Sequence, residues 1–126
     1  MVCSFLLFRS CKKMSSQLRK AIAKACIAAG EQEACGVIID GEVIPVENQS
    51  DEPCSSFVIS ANDFMKYLPD TIYHSHPTGI HGFSEQDLCV ATNLTLTSYV
   101  YVVECDRLEK YSRRCGVEIF EDVLKS

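Results

Sequence analysis

Apolar residues recur at helical spacing at Leu18, Ile22, Ala25, Cys26 and Ala29, while Arg19, Lys20 and Lys24 fall on the opposite side. Ser15 or Ser16 supplies an N-cap and Gly30 a stop, so the pattern predicts an amphipathic helix over 16–29 with a small-residue inner face. Residues 34–39 (ACGVII) are continuously apolar, which predicts a strand covered on both faces. Asp40-Gly41 is a hairpin signal, and Val43 to Val46 returns as the partner strand, with Pro45 marking an edge or bulge. Asn48 to Pro53 reads as loop, Phe57-Val58-Ile59 as a third strand, and residues 61–68 as a short helix capped by Ser60 with Asp63 at N3. Residues 71–76 (TIYHSH) form a β-branched and aromatic strand; a loop with one proline and two glycines follows, then a helix from Ser84 through Leu94. Residues 98–105 predict another buried strand, and residues 108–112 and 116–120 two weaker strands or a hairpin, the last apolar at alternate positions. No repeat or second domain interrupts this order.

The chemistry concentrates in residues 74–87. His74 and His76 end a strand, where alternation places both imidazoles on one face and close enough to bind one ion. Ser84 and Asp87 follow, three apart in the first turn of a helix, giving H-x-H-x7-S-x2-D. Four such fixed positions coincide by chance on the order of once in 10⁵ to 10⁶ starts. Two imidazoles and a carboxylate are a three-ligand set suited to catalytic Zn²⁺ with the fourth position open to water. Zinc of this kind lowers the pKa of water toward about 7, and hydrolysis then needs a non-ligand carboxylate to move the proton. Glu33, just before the first predicted strand, is the best candidate; Glu85 reads as a first-turn surface acid. Ser84 is both an N-cap and a candidate oxyanion donor. His81 reads as a rim residue, Cys35 as core, and Tyr99 and Tyr101 as strand packing.

Composition narrows the setting. A chain of 126 residues holds one domain with a real core and little room for substrate-gripping insertions. A formal charge of -5 without a basic run gives no footprint for nucleic acid. Eight cysteines are scattered singly, several inside apolar runs, which favours a reducing compartment over a disulfide framework. Residues 1–13 contain an apolar run, Val2 to Phe8, too short to span a bilayer and lacking a basic region before it. They read as a poorly ordered extension ahead of a real or ancestral start at Met14, against the alternatives of an apolar docking arm or a membrane anchor.

The segment Glu33-Ala34-Cys35-Gly36-Val37 together with His74, His76, Ser84 and Asp87 resembles the signature of the JAMM (MPN+, Mov34/PAD-type) zinc metalloproteases. The likeness spans about residues 16–120 and is strongest toward compact bacterial and phage members such as the JAMM domain of lambda-type tail assembly protein K. It implies an α+β, cytidine-deaminase-like fold over residues 14–126: a mixed, partly curled β-sheet flanked by helices. It further implies one catalytic Zn²⁺ on His74, His76 and Asp87, with Glu33 and Ser84 catalytic, and hydrolysis of a peptide or isopeptide bond. The expected partners are a protein or peptide substrate, an extended tail included, and phage tail proteins; neither nucleic acid nor membrane is expected. The expected place is the cytoplasm of a bacterial host, or a virion. The alternatives are a deconjugase for ubiquitin-like or sulfur-carrier proteins and a catalytically silent tail subunit.

Overall fold

The structure, a computed structural model, describes residues 14–125; the expected extension over residues 1–13 lies outside them. Helix α1 (Ser16–Ala28) starts where the Ser15 hydroxyl accepts the Leu18 N–H at 3.1 Å. Its buried side chains are Ile22, Ala23 and Cys26, so two of the three are small and the helix can lie close to the sheet.

Six strands form one sheet: β1 (Cys35–Ile39), β2 (Glu42–Val46), β3 (Thr71–His76), β4 (Thr97–Val102), β5 (Arg107–Ser112) and β6 (Gly116–Phe120). Their order is β2-β1-β3-β4-β5-β6, antiparallel except for β3 and β4, which run parallel with Thr71 opposite Thr97 and His76 opposite Val102. A parallel pair needs a crossover, and α3 (Glu85–Asn93) supplies it. The β1–β2 turn is made by Asp40 (φ 50) and Gly41 (φ 80), the left-handed pair that a tight hairpin requires. Helix α2 (Ala61–Tyr67) is capped by Ser60, whose hydroxyl accepts the Asp63 N–H at 3.1 Å.

Strand alternation divides the core between two faces. On the α1 face, Ile22, Ala23 and Cys26 pack with Ile38, Tyr73, Tyr99, Tyr101 and Leu108. On the other, Cys35, Val37, Ile59, Ile72 and Leu96 form a second cluster, partly covered by Phe57 and Phe64. The result is the expected mixed sheet flanked by helices, open at its edges β2 and β6.

Two strand expectations are corrected. Phe57 to Ile59 is extended chain, not a strand: β1 and β4 already occupy both sides of β3. Its Val58 carbonyl accepts the Gln49 N–H, and its Val58 N–H donates to the Asn48 side chain. The strand expected over 98–105 stops at Val102, and residues 103–105 turn as a 3-10 helix. In β6 the apolar alternation faces outward: Glu118 is buried, while Val117 and Ile119 are 45% and 46% exposed. Register explains this, because Val117 and Ile119 stand opposite Tyr111 and Glu109 on the face away from α1, and α3 reaches only Tyr111, whose hydroxyl lies 3.1 Å from Thr92 Oγ1.

Cys26, Cys35, Cys54, Cys89 and Cys105 are free thiols, as single scattered positions predict. Cys115 departs from that expectation and is disulfide-bonded.

Candidate metal centre

The two histidines sit at the carboxyl end of β3, beside the parallel partner β4, the end where open sheets with a crossover present their ligand sites. His74 is fully buried and His76 half-buried, with ring centroids 5.1 Å apart. His74 lies flat against Phe57, at 4.4 Å and 19° between planes, which fixes its ring by packing. His76 is fixed by a hydrogen bond, its Nδ1 lying 3.0 Å from the His81 carbonyl. A carbonyl only accepts, so the hydrogen sits on Nδ1 and the Nε2 lone pair is left for a ligand.

Glu33 reaches the histidines through sheet register. Cys35 pairs with His74 in antiparallel β1 and β3, so two residues earlier Glu33 stands beside His76 on the same face. The backbone is held from both sides. The Glu33 N–H donates to the Pro53 carbonyl at 2.7 Å, and its carbonyl accepts from the Asn48 amide at 3.0 Å. One residue on, the Ala34 N–H donates to the buried Ser75 hydroxyl at 2.8 Å.

Asp87 arrives from the other direction, on the first turn of α3. The Ser84 hydroxyl accepts the Asp87 N–H at 3.0 Å while Asp87 Oδ2 accepts the Ser84 N–H at 3.0 Å, a capping box that both starts the helix and aims the carboxylate. The same Oδ2 lies 3.2 Å from His74 Nε2 and 3.4 Å from His76 Nε2. All five residues singled out in the sequence are therefore close together: Ser84 lines the same cavity as Glu33, His74 and Asp87, and His76 meets Asp87.

A clamp from β5 holds the intervening loop. Glu109, only 8% exposed, accepts the Phe83 N–H at 3.2 Å and the Arg107 Nε–H at 2.9 Å, and Arg107 also donates to the Ile80 carbonyl. The Gly79 N–H donates to Glu104 at 2.8 Å. Gly82 passes so close to Glu109 that a Cβ there would overlap its carboxylate and force that side chain to shift.

The electrostatics follow from burial and neighbours. Burial pushes the Glu33 carboxyl up to about 7, with His76 opposing and Asp87 adding to the rise. Burial lowers His74 against the pull of Asp87. His76 moves up, because its hydrogen bonds to Asp87 and His81 outweigh its burial. Asp87 also overcomes burial and falls far below the usual carboxylate range, held by both imidazoles and by the Ser84 N–H. Cys35 is pushed to about 12 by burial and by the charge of Glu33, which keeps it a protonated core residue.

Glu33, His74 and His76 offer donor atoms within 4.8 Å of one another and can hold a metal ion. Two imidazoles and nearby carboxylates form a donor set that fits zinc. The ring of His74 keeps one buried nitrogen, Nδ1, without a hydrogen-bond partner. Sequence reasoning missed Phe57, Asn48, Ser75 and the Arg107–Glu109 clamp, and took His81 for a rim residue although its carbonyl orients His76. None of these carries a local signal, since each acts across 5 to 41 residues of chain or through a backbone group.

A family model described as prokaryotic homologs of the JAB domain matches residues 15–116. No curated protein matches the chain. Among solved structures the chain is similar to the solution structure of protein DSY2949 from Desulfitobacterium hafniense, with 16% identity and a TM-score of 0.58, over 83% of this chain and 86% of that one. At that identity the likeness carries the fold alone. No helix among the described residues is long and apolar enough to cross a membrane.

Proposed function

The chain belongs to the family of prokaryotic homologs of the JAB domain, and on that premise we propose that it is a zinc-dependent hydrolase of peptide or isopeptide bonds. The observation that carries the proposal is the convergence of Glu33, His74 and His76 donor atoms within 4.8 Å, with Asp87 Oδ2 against both imidazoles. His74, His76 and Asp87 would hold the metal. Zinc, when bound, supplies a Lewis acid that lowers the pKa of water from about 15.7 toward 7.

The chain's own residues supply the rest. Glu33, buried and raised toward neutrality, takes the proton of the attacking water and delivers it to the leaving amine; a carboxyl near 7 can do both. The Ser84 oxygen receives the Asp87 N–H, and its hydroxyl hydrogen is directed to the oxyanion of the tetrahedral intermediate, a donor worth about 3 kcal/mol. Burial of His74 beneath Phe57 excludes water from the far side of the cluster.

The biological setting we propose, phage tail assembly, rests on the resemblance to the compact phage members alone; processing of a ubiquitin-like or sulfur-carrier tail would use the same chemistry.

The test is zinc content and peptide cleavage for the wild type, Glu33→Gln and the His74→Ala/His76→Ala double variant. The expected outcome is one zinc and full activity, then zinc retained with cleavage down by about 10²- to 10⁴-fold, then zinc lost. Full activity in Glu33→Gln would remove it as the base. Unchanged zinc in the double variant would sink the metal site, and a wild type that binds zinc but cleaves nothing would leave a silent subunit.

A further inference from the structure

The polar cluster lines a cavity of about 390 Å³ whose remaining wall is an apolar patch bordered by Ser55, Ser56, Gln86 and Ser98. Ile72 from β3, Phe57 and Ile59 from the segment before α2 and Phe64 from α2 form one side, and Val90 and Leu94 the side of α3. The crossover helix leaves this space open because Ala91 is its buried residue, while Val90 and Leu94 remain 40% and 55% exposed. No basic side chain lines the cavity, and its charged groups, Glu33 and Asp87, sit with His74 at the polar end. Volume and wall chemistry suit a small apolar group anchored beside a few polar ones.

We infer that the cavity is a specificity pocket for one bulky aliphatic or aromatic side chain, such as leucine or phenylalanine, on the substrate residue flanking the scissile bond. The inference rests on the hydrolase reading above and narrows its substrate class. Continuity of the apolar wall with Glu33, His74, Ser84 and Asp87 is what ties the pocket to the reacting bond: a side chain seated between Ile72 and Leu94 places its own backbone at the polar end. An acidic side chain would be buried against the apolar wall, which no Lys or Arg lines. A glycine leaves the wall wet and gains nothing from it. Burying a leucine-sized side chain there instead favours it over glycine by roughly 10- to 100-fold.

Two measurements test the pocket and separate it from the reaction. The first is methyl NMR of the full chain titrated with N-acetyl-leucine methylamide and with its glycine counterpart, which reads binding without turnover. The expected result is shifts at the Ile59, Ile72, Val90 and Leu94 methyls, with the leucine probe at least about 10-fold tighter. The second is cleavage by the zinc-loaded protein of peptides that differ only in leucine or glycine beside the scissile bond. It is run on the wild type, Val90→Trp, which fills the cavity from an exposed helix position, and Leu94→Glu, which charges its rim. Leucine preference in the wild type that collapses toward one in both variants supports the pocket. Equal binding of the two probes, or no methyl shifts with leucine, overturns it. Cleavage without leucine preference overturns the pocket and leaves the hydrolase standing; selective binding without any cleavage leaves the pocket and overturns the hydrolase.

Discussion

The two faces of the sheet are built from the same six strands and do opposite things. On the α1 face, Ile22, Ala23 and Cys26 meet Tyr73, Tyr99, Tyr101 and Leu108 in a packed apolar layer under a capped helix of 13 residues. On the other face, α2 buries no side chain and α3 buries only Ala91, and the same strands turn His74 and Ser98 toward a cavity. The difference teaches where stability and chemistry are drawn from. A dry face contributes folding energy through area and dispersion. The chemical face keeps buried ionisable groups that burial alone would disfavour, so it depends on hydrogen bonds arriving from loops.

The comparison breaks most visibly if the faces are not separable. Ile22→Ala, at a site with no exposure, is expected to lower unfolding free energy by about 2–5 kcal/mol while zinc affinity changes less than about twofold. Denaturant melts and a competitive zinc titration read the two quantities, and a parallel loss of metal affinity would mean that α1 sets the site. The reverse case is Gly82→Ala, whose Cβ displaces Glu109 from Phe83 and Arg107. We expect zinc affinity to fall about 10- to 100-fold, because the loop that carries the His81 carbonyl and leads into Ser84 is no longer pinned. An unchanged affinity in the same titration would show the clamp to be dispensable.

Titration sharpens the contrast further. Glu33 is raised from 4.5 to about 7 in the fold. Between those values the unfolded chain releases a proton that the folded chain retains, so the Glu33 contribution to stability falls as pH rises. In the metal-free protein, Glu33→Gln is therefore expected to gain on the wild type from pH 4.5 to 7, by about 3 kcal/mol, and to hold a constant advantage above. Paired melts across that range check it; a gap independent of pH would remove the burial penalty at Glu33. The smallest effect belongs to the α1 cap: Ser15→Ala, which deletes the acceptor of the Leu18 N–H, is expected to cost about 1 kcal/mol in the same melts and nothing in zinc affinity.

Much of this was legible in the chain because the signals are local. Helical spacing from Leu18 to Ala29, the Asp40-Gly41 turn, the strand ending in His74-Ser75-His76 and the Ser84 cap each depend on residues within one or two turns of one another. So does the H-x-H-x7-S-x2-D spacing, which identifies the type of chemistry without coordinates. Phe57 to Ile59 misled because an apolar β-branched stretch reads as strand whether or not a neighbour has a free edge, and β3 had none. The exposure of Val117 and Ile119 was not legible, because alternation shows that a strand has two faces but not which one is covered.

The sequence by itself determined most of the elements, their order and the candidate ligand types, since propensity, capping and spacing act over a few residues. Only the tertiary structure decided how those pieces meet. The β1–β3 register carries Glu33 to His76, a side chain from β5 pins the loop before Ser84, and an extended segment lays Phe57 on His74. Those contacts depend on packing between distant segments, whose free energy no single stretch of chain contains.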